Sequence, residues 1–292
     1  MKIRRSFGEK LFDAGNYIFL IILAFLCLFP FINTAAISLS DTGAIMAGKV
    51  TLWPVGFELS AYKAVFNDST MIRSLIFTIV LTLLFTFVAV FMTILAAYPL
   101  AQKRLRGRKT LTLIITFTMY FSGGMIPSYL LVSELGLLNS VWALILPCAV
   151  NTFNMIIMKS FFMTLPESLS EAARIDGCND MSILFRIILP LSMPIIATIS
   201  LFYAVQRWNG FTDALYYIND SKLYPLQLKL RQLISLNMVD QLVMDSQSEE
   251  NTAIPESIKS ASLMFATVPI LLVYPWLQKY FVKGVMVGSI KA

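Results

Sequence analysis

Between Arg73 and Lys103 the chain reads SLIFTIVLTLLFTFVAVFMTILAAYPLAQ, residues 74–102, a run of 29 residues without a formal charge. An α-helix rises 1.5 Å per residue, so about 20 apolar residues cross roughly 30 Å of hydrocarbon. A soluble helix of this length would need a charged face toward water, and this one has none. Five more windows repeat the pattern. Asp13 to Asp41 encloses 27 uncharged residues, Lys109 to Glu134 encloses 24, and Glu134 to Lys159 another 24. Arg186 to Arg207 encloses 20 and Lys259 to Lys279 encloses 19. These windows predict an all-α membrane protein with six transmembrane helices, at approximately 16–40, 74–100, 111–133, 137–158, 184–206 and 260–279. An even count places both chain ends on one side.

The composition agrees. Of 292 residues, 57% are apolar and 14% charged, with a mean hydropathy of +0.73, whereas a globular domain carries about 25% charged residues. Histidine is absent and there are three cysteines. Histidine-dependent nucleophiles and histidine–zinc sites are therefore excluded, and no catalytic or metal-binding residue is assigned. Cys27 and Cys148 fall within spans and Cys178 outside them, so no disulfide is expected. The N-terminal Lys2, Arg4, Arg5 and Lys10 resemble the start of a signal peptide. The apolar stretch that follows is too long and lacks a small-x-small exit, so it reads as a retained span.

Charge decides the orientation. With both ends in the cytoplasm, segments 1–15, 101–110, 159–186 and 279–292 hold 15 basic and 6 acidic residues, a balance of +9. The outer segments then hold 8 basic and 11 acidic residues, a balance of −3, which satisfies the positive-inside rule. The domain organisation follows: a cytoplasmic N-terminus (1–15), a six-span domain (16–283) and a cytoplasmic tail (284–292). Lys103, Arg104, Arg106, Arg108 and Lys109 form a basic loop without a local acid. It serves as a positive-inside anchor or as a polar contact for a partner. It has no interleaved aromatics, so nucleic acid is not expected. Outside lie residues 41–73, with Trp53-Pro54 and Asn67-Asp68-Ser69, and the long loop 207–259, which suits a soluble outer partner. Leu226, Leu228, Leu230, Leu233 and Leu236 mark one short apolar element in that loop. Eight of the twelve prolines lie in or at the ends of spans, as fixed kinks or as hinges.

Between the fourth and fifth spans the chain reads Thr164-Leu165-Pro166-Glu167-Ser168-Leu169-Ser170-Glu171-Ala172-Ala173-Arg174-Ile175-Asp176-Gly177. Pro166 suits a first helical turn, Glu167 the positive end of the dipole, and Gly177 a left-handed C-terminal cap. A short helix over 166–177, outside the bilayer, is expected. Leu169, Ala172, Ala173 and Asp176 share one face at the i, i+3, i+4, i+7 spacing. The paired alanines would let another protein approach closely, and an interfacial helix resting on lipid is the alternative.

Glu171-Ala172-Ala173, three residues, Gly177, nine residues and Ile187-Ile188-Leu189-Pro190 resemble the EAA signature of bacterial ABC-importer permeases. The six spans and the ending Lys279-Tyr280-Phe281-Val282-Lys283-Gly284 are similar to maltose-importer-type sugar permeases. Phe121-Ser122-Gly123-Gly124-Met125-Ile126-Pro127 and Tyr224-Pro225-Leu226-Gln227 resemble the subgroup handling oligosaccharide and polysaccharide fragments. The resemblance implies a bacterial cytoplasmic-membrane permease, itself no enzyme, that alternates access across the membrane. Residues 166–177 would be the coupling helix, on which two cytoplasmic ATP-binding subunits dock. Glu171 would make the polar contact, Ala172 and Ala173 would permit close seating with Asp176 on the same face, and Gly177 would end the helix. ATP and magnesium would be held by those partners, and no cofactor by this chain. A second homologous permease would complete a heterodimer, and an extracytoplasmic sugar-binding protein would deliver the cargo.

Sugars are bound by aromatic faces and fixed polar groups. Tyr120, Ser122, Tyr129, Asn151, Asn154, Tyr203, Trp208 and Asn209 are the candidates for a saccharide path, with helix packing as the alternative role of each. A secondary transporter or a channel is the competing class. Ion-coupled carriers place ionisable groups inside the bilayer, and the six windows hold none. A channel would call for a repeated pore motif, and the chain shows no internal repeat.

Overall fold

The computed structural model describes residues 7–121, 123–243 and 255–289, among which every regular element is helical. In chain order the α-helices are α1 (Phe7–Ser38), α2 (Thr42–Met46), α3 (Ser60–Asn67), α4 (Ser69–Ala101), α5 (Arg108–Tyr120), α6 (Met125–Glu134) and α7 (Thr152–Phe162). There follow α8 (Glu167–Ile175), α9 (Asp180–Ile183), α10 (Leu189–Leu191), α11 (Met193–Asn209), α12 (Thr212–Tyr217), α13 (Leu226–Val243) and α14 (Glu256–Ser289). They fall into two compact units, one of Met1–Ser69 with Leu230–Pro269, the other of Thr70–Lys229 with Ile270–Ala292.

Three helical segments are long and apolar enough to cross a membrane unaided: Gly8–Ser38, Ser69–Ala101 and Glu256–Val273. The other three expected spans are not straight helices. Arg108–Tyr120 meets Met125–Glu134 at 113°, Val141–Cys148 meets Thr152–Phe162 at 52°, and Asp180–Leu191 meets Met193–Asn209 at 84°. Counting charge-free windows locates apolar length but is blind to bends, and glycine or proline lies close to each of them. Gly124 stands at φ +88° before α6. Pro147 sits in a 3₁₀ turn, Leu146–Cys148. Ahead of Pro190 the helix widens into a π turn over Leu184–Ile188, where Leu189 N–H reaches back to Leu184 O. Proline donates no backbone hydrogen bond, so the ladder is re-spaced there.

The first unit is built around the far end of α1. Between Gly8 and Ile32 no residue of α1 is buried, whereas Ala36, Ser38 and Ser40 are. The segment after it folds back on this end. Asp41 caps α2 through Oδ2, which accepts from Gly43 N–H at 3.0 Å, while its own N–H donates to Gly56 O at 2.9 Å. Gly56 is at φ +67°, and a Cβ there would stand 2.9 Å from Asp41 Cβ, so glycine is required. Ser38 Oγ and Tyr62 Oη bond at 2.9 Å, and Phe66 meets Phe265 edge-on at 5.3 Å.

Among the described residues, most of the buried apolar side chains belong to the second unit. Leu81, Phe85, Ala89 and Ala97 of α4 pack with Met155, Met158 and Phe162 of α7 and with Ile195, Ile199 and Tyr203 of α11. Part of the expected outer loop 207–259 packs into this core. Its apolar element is an 18-residue helix, α13, whose first turn is seated in the unit: Leu226 and Leu228 are buried, and Leu226 N–H donates to Thr78 Oγ1 of α4 at 2.8 Å. Residues 244–254 of that loop lie outside the described residues, as do 1–6 at the N-terminus. The expected tail 284–292 continues α14 through Ser289, and 290–292 lie outside the described residues.

Candidate functional site

The short helix expected over 166–177 is α8. Pro166 is its N-cap rather than a first-turn residue, with φ −60° and ψ 127°. Glu167 lies in the first turn and Arg174 in the last, each complementing the dipole at its end. Gly177 stands at φ +81°. Its N–H donates to Arg174 O at 3.0 Å and Cys178 N–H donates to Ala173 O at 2.9 Å. This pair of bonds is the Schellman closure, satisfying carbonyls that a helix end otherwise leaves open.

One feature of the expected face is corrected. Ala173 is buried in the unit's own core and Ser170 beside it is buried as well. Leu169, Glu171, Ala172, Ile175 and Asp176 point outward. Ile175 is 87% exposed. The two alanines therefore divide their work: Ala173 seats α8 on its own bundle, and Ala172 remains on an outward surface with Leu169 and Ile175. Adjacent helix positions are 100° apart, so the i, i+3, i+4 grouping leaves open which edge of the stripe is covered.

The basic loop is tied to this region by acids distant in sequence. Lys103 Nζ lies 2.9 Å from Glu167 Oε2. Arg104 pairs with Asp180, whose other oxygen lies 3.5 Å from Arg174 Nη2. Arg174 also donates to Gln102 Oε1 at 3.4 Å. Asn179 Oδ1 accepts from Ser182 N–H at 2.8 Å and starts α9. The loop after α4, the coupling-helix candidate and α9, at the start of the bent pair expected as the fifth span, thus form one polar assembly. Each exposed pair is worth about 0–1 kcal/mol, so the assembly sets position more than stability. These links were missed because a local reading of residues 103–109 finds no acid. A cavity of about 190 Å³ lies within the assembly, reaching Tyr98 and Gln102 on one side and Glu167, Glu171 and Arg174 on the other.

The saccharide-path candidates separate into three groups. Tyr203 is 0% exposed, its hydroxyl bonded to Thr93 Oγ1 at 2.7 Å and accepting from Asn151 N–H at 3.0 Å, with its ring edge-on to Phe85. Asn154 is buried, and Asn151 Oδ1 caps α7 by accepting from Asn154 N–H at 3.1 Å. Tyr203 and Asn154 thus belong to the packed interior and are not offered to a passing ligand, while Asn151 is half-buried. Tyr120 at the end of α5 is exposed, Tyr129 stacks on Tyr217 at 6.3 Å, Trp208 is half-buried and Asn209 is exposed. Ser122 lies outside the described residues. Burial pushes the Tyr217 hydroxyl above the ordinary phenol range, with the nearby Asp213 carboxylate adding to the effect.

Arg207, read from the sequence only as a charge bounding the fifth span, is the most buried cation among the described residues of the unit. It is 4% exposed. Nη2 donates to Asp213 Oδ1 at 2.8 Å, Nη1 to Leu144 O at 2.8 Å, and the guanidinium lies 5.6 Å from the centre of the Phe85 ring. The spacing Arg207-Trp-Asn-Gly-Phe-Thr-Asp213 carried the signal, since a basic and an acidic residue flank a glycine at the end of an apolar window.

Residues 4–287 match the family described as binding-protein-dependent transport system inner membrane component. The chain is 46% identical over 283 residues to the polygalacturonan/rhamnogalacturonan transport system permease protein YtcP of Bacillus subtilis (strain 168), covering 97% of this chain and 99% of that protein. It is 26% identical over 296 residues to the arabinooligosaccharides transport system permease protein AraQ of the same organism, covering 99% of each. Among solved structures it is similar to a chain of a bacterial ABC transporter involved in import of the acidic polysaccharide alginate. That match has 34% identity and a TM-score of 0.87, with 95% of this chain and 99% of the other covered. A second alginate transporter structure, in complex with an alginate pentasaccharide-bound periplasmic protein, shares the fold at 17% identity and a TM-score of 0.61, covering 94% and 96%.

Proposed function

The chain belongs to the family of binding-protein-dependent transport system inner membrane components, and from that premise we propose how this permease couples ATP hydrolysis by partner subunits to the passage of a saccharide. It is a membrane-embedded permease of an ABC importer, not a catalytic subunit. Its cargo is an oligosaccharide or polysaccharide fragment, in keeping with relatives named for polygalacturonan, rhamnogalacturonan and arabinooligosaccharides and a structural neighbour that imports alginate. Each bent pair of helices counts as one crossing, which makes six spans with both termini in the cytoplasm. An outer sugar-binding protein delivers the cargo to the face that carries the loop 207–259. A second, homologous permease completes the gate, and the uncovered apolar length of α1 between Gly8 and Ile32 supports a partner in the membrane.

In this reading α8 is the coupling helix, and the observation that carries it is its mounting. Ala173 and the Schellman closure at Gly177 fix it to its own bundle, while Leu169, Ala172 and Ile175 remain outward for an ATP-binding subunit. Glu171 and Asp176 supply polar contacts at the rim of that apolar patch. Two such subunits, holding ATP and magnesium, close on ATP and displace the pair of coupling helices. The push passes through Asp180 and its arginines to the end of α4, and through α9 into the π turn and the 84° bend of the fifth span. Breaks at proline and π turns are where a helix changes direction at least cost.

The test is ATP-driven uptake by the assembled importer in proteoliposomes. Glu171→Lys should abolish uptake and the stimulation of ATP hydrolysis by cargo-loaded binding protein, with the permease inserted and abundant. Wild-type uptake by this variant would overturn the coupling assignment. Uptake by the permease without its ATP-binding subunits would overturn the importer reading itself.

A further inference from the structure

Two buried polar atoms on residues that line the cavity beside α8 have no hydrogen-bond partner. Tyr98 is 6% exposed and lines the cavity with its hydroxyl unsatisfied, and Nε of Arg174, also on the lining, is unsatisfied too. Buried polar groups are paired in native proteins, so two orphans on residues around one space point to a group that fills it. The charge of the lining states its sign. Lys103, Arg104, Arg108 and Arg174 outnumber Glu167, Glu171 and the adjoining Asp180, which pairs with Arg104 and Arg174, and among the described residues no acid pairs with Arg108. Arg108 also opens α5, whose N-cap, Gly107, provides no side-chain hydrogen bond and whose first turn contains no acid. A helix start carrying cations and no acid is unfavourable to the dipole, and a bound anion relieves both.

We propose that this cavity holds the phosphate of an anionic phospholipid. The volume of about 190 Å³ equals roughly six waters at about 30 Å³ each, ample for a phosphodiester. Guanidinium groups match phosphate oxygens in fork geometry, and the Tyr98 hydroxyl and Arg174 Nε supply further donors. A second groove, of about 380 Å³, shares Tyr98, Gln102 and Arg104 with the cavity and continues along Pro99, Leu105 and Met181. That groove gives an acyl chain an apolar path away from the headgroup. The place fits as well: the apolar run of α4 ends at Ala101, so the cations after it stand at headgroup depth, where basic pockets between helices take anionic lipids. The proposal is independent of the cargo.

The test uses the full-length permease in detergent micelles, titrated with phosphatidylglycerol, phosphatidylcholine or inorganic phosphate, with lipid retention read by native mass spectrometry. Phosphatidylglycerol should be retained and phosphatidylcholine not. Tyr98→Phe and Arg108→Gln should each weaken retention at least about fivefold, while Lys109→Gln, the same loss of charge one residue away and off the cavity lining, should change it less than twofold. Tyr98→Phe keeps the ring that meets Phe162 edge-on at 6.4 Å, and its unfolding midpoint without phosphatidylglycerol should equal that of the wild type. Phosphatidylglycerol should then raise the wild-type midpoint more than that of the variant. Equal losses for Arg108→Gln and Lys109→Gln would reduce the effect to general surface charge and overturn the site. Retention of both lipids alike, or occupancy by inorganic phosphate with no preference for phosphatidylglycerol, would overturn the lipid assignment.

Discussion

Gly177 offers the sharpest test of how α8 is held. At φ +81° an L-residue is strained, yet a Cβ at this position meets no heavy atom within 4 Å. Substitution therefore perturbs conformation without a clash, which isolates the backbone effect. The left-handed region costs a non-glycine residue about 1–2 kcal/mol, least for asparagine and most for β-branched side chains. Such a cost would be minor in a long helix. Here α8 has nine residues, too few to persist alone, and exposed ion pairs each worth about 0–1 kcal/mol help to place it. A cost of about 1–2 kcal/mol shifts the closed-to-frayed ratio of its last turn by roughly 5- to 30-fold. In a Gly, Asn, Ala, Val series at 177, ATP-driven uptake should fall in that order, with Asn near wild type, Ala reduced severalfold and Val reduced at least about tenfold. Membrane abundance and global unfolding temperature should stay constant across the series. Wild-type uptake by the Ala and Val variants would refute the reasoning, and so would a loss for Asn equal to that for Val.

Asp213→Ala leaves the guanidinium of Arg207 with the Leu144 carbonyl but without its counter-charge, and should cost about 3–5 kcal/mol in thermal unfolding of the purified permease; pairing it with Arg207→Met should recover much of that loss, and an additive double variant would show the two residues to be uncoupled. Gly210→Ala should lower stability in the same assay, because its Cβ would stand 2.8 Å from Arg207 Nη2, and a wild-type melting curve would show that the guanidinium can move aside. Tyr203→Phe removes the acceptor of Asn151 N–H and the partner of Thr93; it should cost about 1–3 kcal/mol of stability with the apparent KM for cargo unchanged, and a raised KM in a stable variant would return Tyr203 to the saccharide path. Thr78→Val strands Leu226 N–H and should make α13 more protease-sensitive than in the wild type, whereas equal cleavage rates would show that its seat does not depend on that hydroxyl.

How much could be read beforehand varied by residue type. Apolar length is a one-dimensional property, so the windows from Asp13 to Asp41 and from Arg73 to Lys103 translated directly into α1 and α4. Direction is not, and the 84° bend follows a stretch where the helix re-spaces its hydrogen bonds ahead of Pro190. The cap at Gly177 was legible because one residue type in one backbone state is a local matter. The opposite fates of Ala172 and Ala173 were not, since burial depends on what packs from elsewhere. Pairings such as Arg104 with Asp180, separated by 76 residues, are set by the fold. Tyr203 shows the same limit from another side: an aromatic with a hydroxyl suits a sugar or a core equally well, and only its neighbours Thr93, Phe85 and Asn151 decide.

The pairing of Arg207 with Asp213 also bears on how the chain is made. A cation at the end of an apolar segment is a burden during synthesis, when the rest of the bundle does not yet exist to receive it. At about 5–20 residues per second, an acid six residues downstream leaves the ribosome roughly a second or less after the arginine. Leu144 and Phe85 were synthesised well before, so every group that neutralises or covers this guanidinium is in hand by the time the segment leaves the ribosome. A partner supplied by α14 would arrive only after most of the chain had been threaded. Because the acid lies so close, α11 leaves the ribosome with its terminal cation already matched by a counter-charge.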